Sequence, residues 1–440
     1  MYVPSSFKEL DNFLDRVDST ENDDQMRAQW NELKIDRRLL GGFPERLQAT
    51  DPFSQEYTAE VLNFLDHLRG KQYGVSNEIV DIDIESMSAV CFPYSTRSPS
   101  TVGNFLMSYG FIIRSMDLPV PSKILDIGSG AGSLTVHLAR MGYELTCVDV
   151  NPQYLELLKR MTEKLPNSVE CICADMNNLE LSEKFDAVLF MESFHHSLSH
   201  RATLRKVQHF LKRNGKIFFA DEPVVEAERE ILPYPWGPRL DGESIHAIRR
   251  HGWIEIGFTE HYFFNLLMRM GLSRKRLTLP EANWGDLIIA QPLLPLEFGA
   301  ALSFSSKDRG IEFLGGGWSY PEHFGTWSCE DLATLGFKLD WPERKQSAVL
   351  KFSVRFFLAR KHSSLEISID VNGRNVDIWR VSGKAVKRLE KEVHLERAMI
   401  EHSSFVQIQF NVRSPASPQS LGISEDGRRL GLAVETLVVE

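Results

Sequence analysis

The run ILDIGSGAGS, Ile124–Ser133, places glycines at 128, 130 and 132 directly behind an apolar segment that carries one carboxylate, Asp126. A strand that enters a helix through so bare a turn lets a ligand meet the backbone without touching a Cβ, and it aims the helix N-terminus at that ligand. The pyrophosphate-binding form of such a turn is G-x-G-x-x-G. Counting from Gly128, the sixth position here is Ser133, and the glycines recur at every second residue instead. The pattern Asp126-x-Gly128-x-Gly130-x-Gly132 therefore points away from a dinucleotide.

Outward from this turn, short apolar runs alternate with amphipathic helices. KILDIG, YELTCVDV, SVECICAD, FDAVLFMES and KIFFADEP are expected to form five strands. Between them, Leu134, Leu138 and Met141 fall at helical spacing before Gly142, a natural helix stop. Asn151-Pro152 supplies an N-cap and a first-turn proline for a helix carrying Leu155, Leu158 and Leu165 up to Pro166. HRATLRKVQHFLKRNG is expected to be helical up to its glycine. A helix near His261–Met270 and two strands, KRLTLPE and DLIIAQPLL, would close the sheet. This order predicts an α/β fold, a doubly wound Rossmann-like parallel sheet.

Residues 1–120 suggest a helical cap, with Leu10, Phe13, Leu14 and Val17 on one stripe and Val61, Leu62, Leu65 and Leu68 on another. A further apolar helix, Val102–Met116, follows the turn-rich Pro93–Pro99. QPLLPLEFG is expected to be a linker. Past residue 300 the helical period disappears, and AVLKFSVRFFLA, LEISIDVNG and FVQIQFNV alternate in the manner of an antiparallel β-sandwich. Three regions follow: a cap at 1–120, a sheet domain at 121–296 and a sandwich at 300–440.

The 440 residues carry a formal net charge of −10, which argues against a nucleic-acid partner. The N-terminus has no basic-then-apolar leader, and no apolar run reaches the roughly 18 residues of a membrane span. A cytoplasmic protein is expected. The five cysteines, at 91, 147, 171, 173 and 329, lack C-x-x-C spacing and suit a reducing compartment. Cys171 and Cys173 alternate on a strand and are expected to be small buried apolar groups rather than a redox or metal pair.

An acidic residue followed by G-x-G-x-G resembles the first motif of the class I S-adenosylmethionine-dependent methyltransferases, and the likeness extends over Lys123–Leu294. It implies S-adenosyl-L-methionine as cofactor, cradled by Gly128, Ser129, Gly130 and Gly132, with Asp126 near its amino-acid portion. Asp149, closing the second strand beside Val150, would accept hydrogen bonds from the ribose hydroxyls. Asp175, closing the third, would face the adenine amino group, with Met176 against the ring and Met191 at the end of the fourth strand. Arg97 would lie near the methionine carboxylate.

After the fourth strand comes Glu192-Ser193-Phe194-His195-His196, at the carboxyl edge of the sheet where an acceptor should sit. An imidazole there can take an acceptor's proton, with His195 the first candidate, His196 the reserve and Glu222 the alternative. The same side chains equally suit shaping a pocket, capping backbone or ending a strand. No metal is expected, because the two histidines are adjacent rather than spaced for chelation and no Asp/Asn pair offers an oxygen cage. The insertion Pro233–Phe258 is the expected acceptor wall.

GGGWSYPEHFGTWS, Gly315–Ser328, groups Trp318, Tyr320, Glu322, His323 and Trp327, a set suited to stacking on a sugar or to plugging a sandwich core. The pattern G-W-x-x-P-E-x-x-G-x-W-S, with the terminal LGISEDGRRLGLAVETLVV, resembles β-sandwich modules found beside bacterial glycosyltransferases. That likeness implies a saccharide acceptor, a sugar hydroxyl in surface polysaccharide synthesis. A small-molecule or lipid acceptor and a non-catalytic glycan-binding subunit are the competing readings. The helical cap suits a lid or the interface of a homo-oligomer.

Overall fold

The computed structural model describes every residue except 21, 166, 168, 226–229, 283, 343–344 and 401–404. Its contacts divide the chain into two compact units, 1–262 with 276–289, and 263–275 with 290–440. The N-terminal helices thus cluster with the sheet in one unit, whereas the sequence suggested a separate cap. Among the described residues no helix is long and apolar enough to cross a membrane.

The first unit opens with α1 (Phe7–Asp18), α2 (Asp23–Glu32), α3 (Phe43–Ala49), α4 (Gln55–Arg69), α5 (Ile84–Ala89) and α6 (Pro99–Met116). Five of these six starts have a local cause: the side chains of Ser6, Asn22, Ser54, Asp83 and Ser98 accept from backbone N–H groups of the first turns of α1, α2, α4, α5 and α6. The stripe Leu10, Phe13, Leu14 and Val17 is buried, as are Val61, Leu65 and Leu68.

The sheet comprises β1 (Lys123–Ile127), β2 (Glu144–Asp149), β3 (Val169–Cys173), β4 (Phe185–Met191), β5 (Leu211–Ala220), and later β9 (Lys275–Thr278) and β10 (Asp286–Ala290). Its order is β3-β2-β1-β4-β5-β10-β9, and β1 to β5 pair in parallel. The chain reverses its direction of winding between β1 and β4, so the carboxyl ends of these two strands flank a crevice. Around the sheet run α7 (Thr135–Met141), α8 (Pro152–Thr162) and α9 (His200–Phe210). Asn151 caps α8, its side chain accepting from Gln153 N–H at 3.0 Å.

Three local expectations are corrected. α9 ends at Phe210 rather than at Gly215, because residues 211–220 join the sheet, with a register shift between Phe185 and Ala187. Strand pairing to β4 outweighs the helical spacing of that segment. Met141 is exposed, since the two turns of α7 end before a third inward position. Cys147 is buried, but Cys171 is only half-buried and Cys173 is exposed, because β3 is an edge strand with open alternate positions. Pro166, expected to end α8, lies outside the described residues.

Between β5 and β9 the insertion forms a three-stranded sheet, β6 (Val224–Val225), β7 (Trp236–Pro238) and β8 (Ile256–Thr259), in the order β6-β8-β7. It also holds α10 (Gly242–His246), after which the chain enters α11 (Glu260–Arg269). The Tyr57 hydroxyl on α4 donates to the carbonyl of Trp236 at 2.7 Å, tying the insertion to the N-terminal helices.

The second unit is a two-sheet antiparallel sandwich. One sheet runs β11 (Ala301–Ser303), β19 (Leu432–Val439), β14 (Ser347–Phe356), β17 (Lys387–Glu396), with β12 (Thr326–Trp327) paired to β19. The other runs β13 (Leu332–Lys338), β18 (Phe405–Arg413), β15 (Ser364–Val371), β16 (Arg374–Ser382). Trp318 packs edge-on against Phe410 at 5.8 Å, and its indole N–H donates to the Thr334 carbonyl. Trp327 lies in a smaller cluster with Phe357, Leu430 and Ala433. Both indoles therefore serve the interior, and in the Gly315–Ser328 stretch Tyr320, 79% exposed, and His323 offer their rings to solvent. The expected linker is anchored too: Leu293 is a core residue and Leu296 bridges to Leu339.

Candidate active site

β1 delivers the chain into the glycine turn, and the N–H groups of Gly128 and Ser129 both reach the Val148 carbonyl, at 2.7 and 3.2 Å. The three glycines have left-handed backbones, with φ of 72°, 51° and 77°. Their reasons for being bare differ. A Cβ on Gly128 would stand 2.5 Å from the Ser193 Cβ, and one on Gly132 would stand 2.4 Å from Leu158 Cδ1. A Cβ on Gly130 would meet nothing within 4 Å. Protein fills the first two places; the third faces the open cleft.

That cleft encloses about 810 Å³, part of it open to solvent, and it is lined by Gly128, Gly130, Asp149, Val150, Asp175 and Met176 from the expected cofactor set. Asp149 holds the turn from beneath: Oδ2 accepts from Gly130 N–H and Oδ1 from Asn151 N–H, each at 2.8 Å. Burial raises its carboxyl above the usual range, against the lowering effect of those N–H groups. Asp175 closes the turn after β3, Oδ1 accepting from Asn177 N–H at 2.8 Å.

The other five expected contacts lie outside the lining. Asp126 sits under the turn, buried, and accepts from the Thr135 hydroxyl at the start of α7; burial pushes it up to about 6. Gly132 packs on α8, and Met191 packs with the sheet core. Arg97 is exposed, closing the short turn 94–96 with φ 52°. Ser129 is held just behind the turn, its hydroxyl buried with no partner among the described residues.

Several lining residues had no distinguishing spacing in the sequence. Tyr73, Val75 and Glu78 come from the segment after α4, Tyr154 from α8, Asn177 from the turn after β3, and Trp253 from the insertion. Glu192, the residue after β4, also lines the cleft with φ 49°. Protein surrounds it although its tip opens onto the cleft, and that burial, with the charges of Asp221, Glu243 and Glu222, pushes it up to about 8.

Beside Glu192 the chain makes one helical turn, 194–196, whose N-terminal amides are capped by Glu222. Glu222 Oε1 accepts from Ser193 and Phe194 N–H at 2.9 and 2.7 Å, and Oε2 lies 3.1 Å from His195 N and 2.9 Å from His195 Nδ1. Burial would raise this carboxyl, but the His195 charge and hydrogen bond and the two amides lower it below the usual range. A carboxylate only accepts, so Nδ1 of His195 donates to Glu222. Nε2 faces Glu255 Oε2 at 3.5 Å, and His196 Nε2 lies 4.0 Å from Glu255 Oε1. His196 lines the cleft; His195 lies behind it. Burial alone would lower the His196 imidazole, but contact with Glu78 and the charges of Glu255 and Glu222 push it up to about 9.

All three expected catalytic residues thus come together, joined by Glu255 from the insertion. The adjacency of His195 and His196, which argued against shared chelation, does not keep them apart in space: one donor atom each of His195, His196 and Glu255 lie within 4.8 Å of one another.

The residues present fit an adenosyl sulfonium ligand. Gly130 leaves a Cβ-sized opening at the turn, and Asp149 and Asp175 put carboxylates around a cleft that would receive a cation. A parallel sheet with this turn at its switch point and acids closing the next two strands defines an S-adenosylmethionine-dependent methyltransferase domain. Residues 125–219 match the family described as "Methyltransferase domain". The ubiquinone biosynthesis O-methyltransferase of Pelagibacter ubique is 32% identical over 111 residues, 25% of this chain and 46% of that protein. The mitochondrial enzyme of the same name from Schizosaccharomyces pombe is 34% identical over 98 residues, 22% of this chain and 36% of that protein. The chain therefore spans less than half the length of these curated relatives. A solved methyltransferase from Aquifex aeolicus, 17% identical, aligns with a TM-score of 0.34 over 48% of this chain and 100% of that one.

Proposed function

We propose that the protein methylates a hydroxyl oxygen with S-adenosylmethionine, and that the acceptor is a saccharide. The observation that carries the transfer reading is the buried His195–Glu222 pair at the carboxyl edge of β4 and β5, 2.9 Å apart, beside the glycine-turn cleft. When bound, the cofactor supplies a methyl group already activated on a sulfonium. The glycine turn, Asp149 and Asp175 hold it, while Tyr73 and Trp253 exclude water from one side of the cleft. The chemistry the cofactor would supply is methyl transfer to the acceptor oxygen, the electron pair of the carbon–sulfur bond staying on sulfur. The acceptor's proton leaves at the imidazole–carboxylate cluster of His195, His196 and Glu222. Alignment accounts for about 7–11 kcal/mol of such a step and proton handling for about 3–5.5 kcal/mol, so orientation is the larger task.

The saccharide acceptor is supported by the likeness of the sandwich to modules beside glycosyltransferases. A small-molecule acceptor is the second reading, favoured by the ubiquinone-pathway names of the relatives. The five free cysteines suit a reducing, cytoplasmic setting. Release of S-adenosylhomocysteine, measured with glycan extracts beside a panel of phenols and lipids, decides the acceptor: turnover with glycans alone supports the saccharide, turnover with phenols alone replaces it. No turnover with any acceptor, alongside glycan binding, would return the protein to the non-catalytic reading.

A further inference from the structure

We infer that His195, His196 and Glu255 form a site for one divalent transition-metal ion at the acceptor end of the cleft. The inference rests on the methyl-transfer reading of the same site and gives its cluster a specific occupant.

Two observations carry it. First, both imidazoles present Nε2 to the same carboxylate, His195 at 3.5 Å from Oε2 and His196 at 4.0 Å from Oε1. Ligands around a small ion bound at about 2.0–2.2 Å sit at separations only slightly shorter than these. Second, each ring has a carboxylate behind it: Glu222 at 2.9 Å from His195 Nδ1, and Glu78 at 3.4 Å from His196 Nδ1. A metal-bound histidine is typically oriented by an acceptor on its other nitrogen; His195 has one in Glu222, and Glu78 stands at ion-pair distance from His196 Nδ1.

Arg239 reaches Glu255, 3.7 Å from Oε2, and is itself engaged by Asp241 at 2.9 Å. It neutralises part of the carboxylate charge. Two nitrogens and one carboxylate suit Zn²⁺, Mn²⁺, Fe²⁺ or Co²⁺ rather than Mg²⁺ or Ca²⁺, which prefer oxygen shells. His196 lines the cleft, so the open coordination positions face the acceptor. An acceptor hydroxyl bound there would lose its proton more readily and would be held at a set angle to the methyl group.

The test is titration of the chelator-treated full chain with Co²⁺ and with Zn²⁺, followed by calorimetry, with visible absorption for Co²⁺. The expected result is one equivalent bound, a Co²⁺ spectrum of low-symmetry nitrogen and oxygen coordination, and at least a tenfold weakening in Glu255→Gln and in His196→Gln. S-adenosylhomocysteine affinity is measured on the same samples. Absence of a bound equivalent, or binding that both substitutions leave unchanged, overturns the metal site while intact S-adenosylhomocysteine binding preserves the methyltransferase reading. Failure to bind S-adenosylhomocysteine at all removes the reading on which the site's role rests. The wild-type Co²⁺ spectrum keeps the proposal decidable even where a variant folds poorly.

Discussion

A single oxygen of Glu222, Oε2, receives both the backbone N–H of His195 at 3.1 Å and its ring Nδ1 at 2.9 Å. Backbone and imidazole of the same residue are thereby fixed by one group from the end of β5. Glu222→Gln replaces an acceptor of four contacts by an amide whose NH₂ must face donors. The expected cost is about 1–3 kcal/mol of stability, because a buried N–H loses its partner. Turnover should fall while S-adenosylhomocysteine affinity stays within about threefold. Calorimetry and steady-state rates check both; unchanged turnover would free the acceptor chemistry from this pair.

The glycine turn makes a paired prediction. Gly128→Ala and Gly130→Ala both strain a left-handed backbone, at about 1–2 kcal/mol each. Gly128→Ala also drives a methyl to 2.5 Å from Ser193, adding a packing cost of about 1–3 kcal/mol. Gly130→Ala meets no protein atom within 4 Å, so it should melt closer to wild type yet lose about tenfold or more in cofactor affinity. Thermal melts and calorimetry on the pair distinguish packing from ligand contact.

Asp149→Ala removes the acceptor for Gly130 and Asn151 N–H and the proposed grip on the ribose. Each charge-assisted bond lost is worth about 1.5–3 kcal/mol, so S-adenosylhomocysteine binding should weaken by one to two decades, on the order of a single such bond. Asp149→Asn, which keeps an acceptor for one N–H, should fall between. Wild-type affinity in the alanine variant would rule the ribose role out.

Asp126 lies under the turn with its carboxyl pushed up from 3.8 to about 6 by burial. Between these values the folded chain holds a proton that the unfolded chain has released, so stability declines as pH rises through that window. Asp126→Asn keeps an acceptor for the Thr135 hydroxyl and removes the titration. Its melting temperature should change less than that of the wild type between about pH 4 and about pH 6.5. An identical slope in both proteins would mean that Asp126 is charged in the fold.

In the sandwich, Trp318→Ala should cost about 3–5 kcal/mol, since it opens a cavity and strips the Thr334 carbonyl of its indole donor. Tyr320→Ala, at 79% exposure, should leave stability within about 0.5 kcal/mol. Chemical denaturation of the two variants checks the assignment of one ring to the interior and the other to solvent.

The parts of the site legible in sequence are those made by one continuous segment. The glycine turn with Asp149 and Asp175 at the next two strand ends follows from strand-and-helix periodicity alone, because each lies within a few residues of the element that positions it. Asp126 and Arg97 show where that reasoning stops. Local pattern places both near the turn, but only packing reveals that one carboxylate is covered by Thr135 and that the guanidinium stays in solvent. α9 ended early for the same kind of reason, since pairing with β4 overrode a favourable helical spacing.

The order of elements, the nature of the turn and the alternation of the second unit were determined by the chain itself, since apolar period and glycine geometry act over neighbouring residues. The meeting of His195 and His196 with Glu78, Glu222 and Glu255 was decided only by the tertiary structure. Those residues lie up to 177 positions apart, between Glu78 and Glu255, and no local rule sets the direction of their side chains. Folding β4, β5, the segment after α4 and the insertion around one crevice brings the five together, and desolvation there makes each dependent on the others for charge balance.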